Sequence, residues 1–125
     1  MEEIDIDRPE ADPDECKTLN KILKMMKDAE PWLLKYPKYT RFTRVADITR
    51  CMDRMMEIAI TANRKYFKKN TLQELDVEVD KLRKYVRLSY DLKYISFKTY
   101  KLWTSEVDEI GRMLGGWIKS QSGKK

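Results

Sequence analysis

Histidine is missing from all 125 residues, and with it the side chain that most often serves as general base or metal ligand near neutral pH. Cysteine occurs only at Cys16 and Cys51. Two such residues, far apart, make no zinc spacing and no disulfide framework, so each reads as a small apolar side chain. There is no nucleophile motif and no glycine-rich phosphate loop following a strand. No apolar run approaches the roughly 20 residues of a membrane span. The start, "MEEIDIDRPEADPDE", is acidic and lacks the basic opening and apolar core of a signal peptide. A cytoplasmic, non-enzymatic protein without cofactor, metal or membrane is the expectation. The carboxylates of "EVDE", Glu106 to Glu109, are the remaining place for a cation. They are expected instead to stay solvated beside opposite charges such as Arg112.

What is present is apolar residue at 42% and a net charge of +5. The first figure argues against wholesale disorder. At this length a single domain with a modest core is expected, one that association with other chains would help. The charge is unevenly spread. Residues 1–16 hold eight acids and one base, while the rest holds 25 Lys and Arg against 13 Asp and Glu. A body with that excess repels itself unless a polyanion lies near it. Nucleic acid fits, and so does a helical protein with a lysine-rich solvated face.

The apolar spacing is helical throughout, with no strand-like alternation over four or more residues. Residues 1–15, with Pro9 and Pro13, read as a disordered acidic tail. The tail either aids solubility or lies over the basic body and competes with nucleic acid. Helix one is expected from Cys16–Thr18 to about Tyr36 on a stripe of Leu19, Ile22, Met26, Ala29 and Leu33. Pro31 within it predicts a kink or break near Glu30, and Pro37 a stop. Helix two, about 40–69, carries Ile48, Met52, Met55, Ala59, Ala62 and Tyr66 at the spacing of a bundle seam. Thr71 with Glu74 resembles a capping box opening helix three, about 71–93, whose buried face is Leu75, Val79, Leu82 and Val86. A link near Lys93–Ser96 leads to helix four, on Tyr100, Trp103, Val107, Ile110, Leu114 and Trp117. Residues 121–125 read as a frayed basic end. Short links between long amphipathic segments predict an all-α, antiparallel up-down-up-down four-helix bundle over 16–120.

Three of the four glycines fall within six positions of helix four, at Gly111, Gly115 and Gly116, although each costs about 1 kcal/mol relative to Ala in a helix. Small residues four apart admit a second backbone. That backbone belongs either to helix one or two, the reading preferred for Gly111, or to another subunit, which stays open for Gly115, Gly116 and the adjoining Trp117.

Three stretches carry a resemblance. They are "EVDEIGRMLGGWIKS" in helix four, "YPKYTRFTRVADI" at residues 36–48, and "KLRKYVRLSYDLKYIS" at 81–96. Together they resemble the four-helix-bundle accessory variability (Avd) proteins of diversity-generating retroelements, a family that also contains proteins of ribosomal RNA intervening sequences. The resemblance implies a non-catalytic, barrel-like homopentamer with a basic exterior. Such a protein binds the retroelement reverse transcriptase together with RNA and DNA, and supports mutagenic copying of a template repeat. Carried over by position, the third-helix arginines fall on Arg83 and Arg87, four apart on one face, with Lys84 beside them. The planar fork of arginine suits phosphate, while Asp80 and Asp91 offer intrahelix partners instead. Arg41 matches the turn's arginine and is expected to tie the turn to a helix end. "RKYFKK", with Arg64, Lys65, Lys68 and Lys69, mixes bases with Tyr66 and Phe67, and of these rings Phe67 is the one expected free to stack. Lys98 and Lys101 extend the basic strip. A protein-only helical scaffold and a ribosomal-RNA type of RNA binder remain as alternatives.

Overall fold

The computed structural model describes residues 13–121, with side chains from residue 17 onward. Four helices follow one another: α1 (Pro13–Leu34), α2 (Arg44–Asn63), α3 (Lys69–Asp91) and α4 (Phe97–Ser120). A 3₁₀ turn, Lys38–Thr40, stands between the first two. Each helix packs on its chain neighbours, α1 closes on α4, and among the described residues neither diagonal pair brings its backbones within 8 Å. Neighbours run antiparallel. Met25 meets Trp103 while Lys24 meets Glu106, and Cys51 meets Glu78 while Arg54 meets Glu74. The result is an up-down-up-down four-helix bundle among the described residues.

The core follows the predicted stripes closely on α2, α3 and α4. Ile48, Met55 and Ala59 face Leu75, Val79 and Leu82, and Trp103, Val107, Ile110, Leu114 and Trp117 close the square. Trp103 is fully buried, tilts against Trp32 at 5.3 Å between ring centroids, and directs Nε1 at Met25 Sδ, 3.3 Å away. On α1 the stripe is rotated from the expected one. Thr18, Ile22, Met25, Ala29 and Leu33 are buried, leaving Leu19 and Met26 only partly covered.

The structure corrects several boundaries. α1 begins at Pro13 and continues through Pro31 without a break to Leu34. Pro13 opens the helix, where its missing N–H costs nothing. α2 ends at Asn63, so Tyr66 lies beyond it, 65% exposed, with its ring edge-on to Phe67 at 4.6 Å. It is not a seam residue. Thr71 is not a cap: α3 starts two residues earlier at Lys69, and Thr71 turns inward to accept a hydrogen bond from Lys65 Nζ at 3.0 Å. Of the tails predicted at 1–15 and 121–125, residues 13–15 belong to α1 and Gln121 is buried at the C-cap of α4, while 1–12 and 122–125 lie outside the described residues.

The last turn of α3 fixes one end of the bundle. Lys93 adopts a left-handed conformation (φ 64), its N–H donates to Tyr90 O, and the Tyr94 N–H donates back to Ser89 O at 2.9 Å. This is a Schellman cap with lysine where glycine is usual. It turns Tyr94 back over the end of the bundle. Ser96 then caps α4, accepting from the Thr99 N–H.

Candidate functional site

The cations singled out in the sequence do not form one strip. α2 and α4 begin where α1 and α3 finish, and this near end holds Arg41, Lys98 and Lys101. The far end, at the link between α2 and α3, holds Arg64, Lys65, Lys68 and Lys69. The 23 residues of α3 set the two ends about 34 Å apart. Arg83, Lys84 and Arg87 lie on α3 between them.

The middle group is locally neutralised. Arg83 Nε donates to Asp108 on α4 at 3.1 Å, and its Nη1 reaches Asp80. Lys84 Nζ also donates to Asp80, at 3.1 Å, and Arg87 pairs with Asp91 at 3.4 Å. Lys84 holds the Asp80 carboxyl below its usual range. A Cβ on Gly111 would stand 3.0 Å from Arg83 Nη2. The near neighbour is thus the flexible end of an α3 side chain, which can shift, and not the close backbone of α1 or α2 expected at this glycine. Gly115 and Gly116 differ, because added Cβ atoms there would meet nothing within 4 Å. Trp117 is fully buried in the bundle core.

At the far end Lys68 is only 7% exposed and lies over the Trp117 ring, 5.7 Å from its centroid. Lys65, Lys69, Phe67 and Gln121 line a hollow of about 320 Å³ beside it. The near end is richer in rings. Tyr36 is buried and donates to Ser89 Oγ at 2.6 Å, and Ser89 donates onward to Tyr85 O. Burial pushes the Tyr36 hydroxyl up to about 12. Tyr36 packs on Tyr94 at 5.4 Å, Tyr94 packs on Tyr39 at 6.5 Å, and the Tyr39 and Tyr94 hydroxyls lie 3.5 Å apart. Alongside, Tyr90 stacks on Tyr100 at 4.6 Å with Phe97 against both, and Lys101 Nζ sits over Phe97. Lys38 and Arg41 border a groove of about 310 Å³ with Glu30 on its wall. Lys35, Lys38, Arg41, Lys93, Lys98 and Lys101 form no ion pair among the described residues. Arg41 therefore shows no salt bridge tying the turn to a helix end. The aromatic wealth of this end escaped the sequence reading, because its rings come from three separate stretches.

A hollow of about 610 Å³ between α2 and α3 is lined by both signs of charge, Arg50, Arg54 and Lys81 with Glu57 and Glu78 among them. Cys51 lies buried there, its thiol pushed up to about 12 by burial and then by Glu78. Such a thiol is a poor nucleophile.

A family model described as bAvd-like matches residues 18–121. The chain belongs to that family, the accessory variability proteins. The match spans all four helices and takes in every candidate cation and glycine named above. The family is one of accessory, non-catalytic proteins, and the match supports a role as an accessory protein of a diversity-generating retroelement. No curated protein matches the chain. Among the described residues no helix is long and apolar enough to cross a membrane, and no group of three His, Cys, Asp or Glu is placed to hold a metal ion.

Glu106 departs from the solvated carboxylate expected of "EVDE". Its side chain is 14% exposed and its Oε1 is buried without a hydrogen-bond partner. Burial, and then Asp28, push its carboxyl above the usual range, while Glu106 and Lys24 draw Asp28 below it. A raised folded-state pKa means that the fold holds this proton more tightly than the unfolded chain does. Its contribution to stability is present below the ordinary carboxylate pKa and is lost as pH rises through the raised value. Glu106→Gln offers an N–H toward Asp28 at every pH and carries no charge, at the loss of the exposed Lys24 pair. At neutral pH it should stabilise by about 1 kcal/mol, relieving an unsatisfied buried acceptor. The gain should disappear in acid, where both side chains are neutral. Thermal melts of the two proteins across that range check this, and a difference that does not change with pH would contradict it.

Proposed function

We propose that this chain is the nucleic-acid-binding, polymerase-binding accessory subunit of its retroelement. It would hold the reverse transcriptase and the template RNA or its DNA copy against a basic surface, so that the template repeat is copied with errors into the variable repeat. The polymerase performs the synthesis. The observation that carries this reading is the set of near-end cations without acidic partners, in a chain belonging to the accessory variability proteins. Exposed cations left unneutralised repel one another, and phosphate relieves that repulsion. The far-end bases Arg64, Lys65, Lys68 and Lys69 and the α3 group Arg83, Lys84 and Arg87 provide further contacts. Surface pairs such as Arg87–Asp91 are worth at most about 1 kcal/mol, so phosphate can displace them.

A homopentamer completes the proposal. Gly115 and Gly116 leave a bare strip on the outside of α4, where a second backbone finds room. Co-expression with the retroelement's own polymerase and repeat pair tests the whole reading. The polymerase should co-purify with a pentameric form of this chain, and mutated copies of the repeat should require it. Equal copying in its absence would overturn the proposal.

A further inference from the structure

We infer that the near end is a stacking platform for unpaired bases, with Tyr39, Phe42 and Phe97 facing the bases and Lys38, Arg41 and Lys98 facing the phosphates, and with Lys101, which lies over the Phe97 ring, moving aside for a base. The inference rests on the nucleic-acid-binding reading and adds to it a preference for single strands at a defined place.

Three observations meet there. First, the rings are in solvent: Tyr39 is 77% exposed, Phe42 86% and Phe97 56%, in a protein that buries Trp103 and Trp117 completely. Second, the support is stiff. The Tyr36–Ser89–Tyr85 hydrogen-bond chain and the Schellman cap hold Tyr94 behind Tyr39. The stacked Tyr90–Tyr100 pair stands behind Phe97. Third, the charge is one-sided. The nearby acids Asp47 and Asp91 are each engaged by arginines, which leaves Glu30 among lysines and Arg41 that have no acidic partner. Exposed rings rimmed by cations without acidic partners suit a ligand with flat faces and a polyanionic backbone.

Pairing decides which nucleic acid benefits. In a duplex the base faces are covered by neighbouring bases and only phosphates and groove edges remain, so the cations can act but the rings cannot. In a single strand each base can leave its stack and lie on a ring. One base stacked on an aromatic side chain is worth about 5- to 150-fold in affinity. Stacking releases no counterions, so this part of the affinity is independent of salt.

The test uses the full chain with a labelled single-stranded RNA, its duplex, and a single strand carrying 2-aminopurine. Tyr39→Leu, Phe42→Leu and Phe97→Leu are combined, which keeps apolar bulk at exposed positions, and circular dichroism checks the fold. Single-strand affinity should fall at least about 10-fold at an unchanged salt slope. Duplex affinity should change by less than about 2-fold, and quenching of 2-aminopurine should be lost. Equal losses on both ligands, or no loss on the single strand, would overturn the platform. So would a variant that binds strands normally but no longer retains the polymerase, which would assign the rings to protein docking. If the unsubstituted chain bound neither ligand, the nucleic-acid reading itself would fail, a result distinct from all of these.

Discussion

Trp103→Ala is expected to destabilise the bundle by about 4 kcal/mol, the usual cost of emptying a fully buried large aromatic site. A domain of this size has about 5–15 kcal/mol in total, so the variant should stand close to unfolding. The side chain is enclosed by α1 through Trp32 and Met25 and lies on the long apolar stripe of α4. Removing it leaves rigid neighbours around a hole too apolar to hold water. The denaturant midpoint should fall steeply with little change in slope. Phe42→Leu, at an exposed position of the 36–43 connector, should fall within about 0.5 kcal/mol of the parent. A loss below about 1 kcal/mol at Trp103 would mean that the α1–α4 seam is not the packed core described.

That core was largely legible in the sequence, because side chains at 3-4 spacing on a helix have one face to hide. Where the reading failed, the reasons are local. Met25 and Met26 are adjacent and chemically identical, so the phase of α1 rested on Leu19, whereas Thr18 is the residue buried. Tyr66 continued the α2 spacing, but no Gly or Pro marks the end of that helix at Asn63. Thr71 and Glu74 satisfy a capping box, but the core takes Thr71 inward and Lys65 supplies its partner. At the candidate site, the arginines of α3 could be named from the sequence, though the reach of Arg83 across Gly111 to Asp108 could not. The near-end rings, contributed by residues 36–42, 90–94 and 97–100, become neighbours only once α1, α2, α3 and α4 alternate in direction.

Replacing Lys38, Arg41 and Lys98 together by Ala is expected to have the largest effect on binding. Each cation that contacts phosphate adds about −0.7 to the log–log salt slope on a single strand and about −0.9 on a duplex. Losing three should flatten the single-strand slope by about 2 and lower affinity roughly a hundredfold or more at about 50 mM salt. No hydrogen bond or ion pair in the fold depends on these three side chains among the described residues, so stability should hold. The Arg83→Ala, Arg87→Ala pair should do less, because both cations already face aspartates and removing them frees Asp80, Asp91 and Asp108. This pattern is the reverse of that expected for the ring substitutions, which should lower affinity at constant slope.

The proposed function depends on phosphate being the ligand of the basic surface. The direct measurement is the affinity of the unaltered chain for a single-stranded RNA of about 20 nucleotides, titrated from about 50 to 300 mM salt. A log–log slope of about −2 or steeper is expected, which corresponds to three or more phosphates neutralised. Affinity that does not respond to salt over that range, or no binding at its lower end, would contradict nucleic-acid binding by this surface.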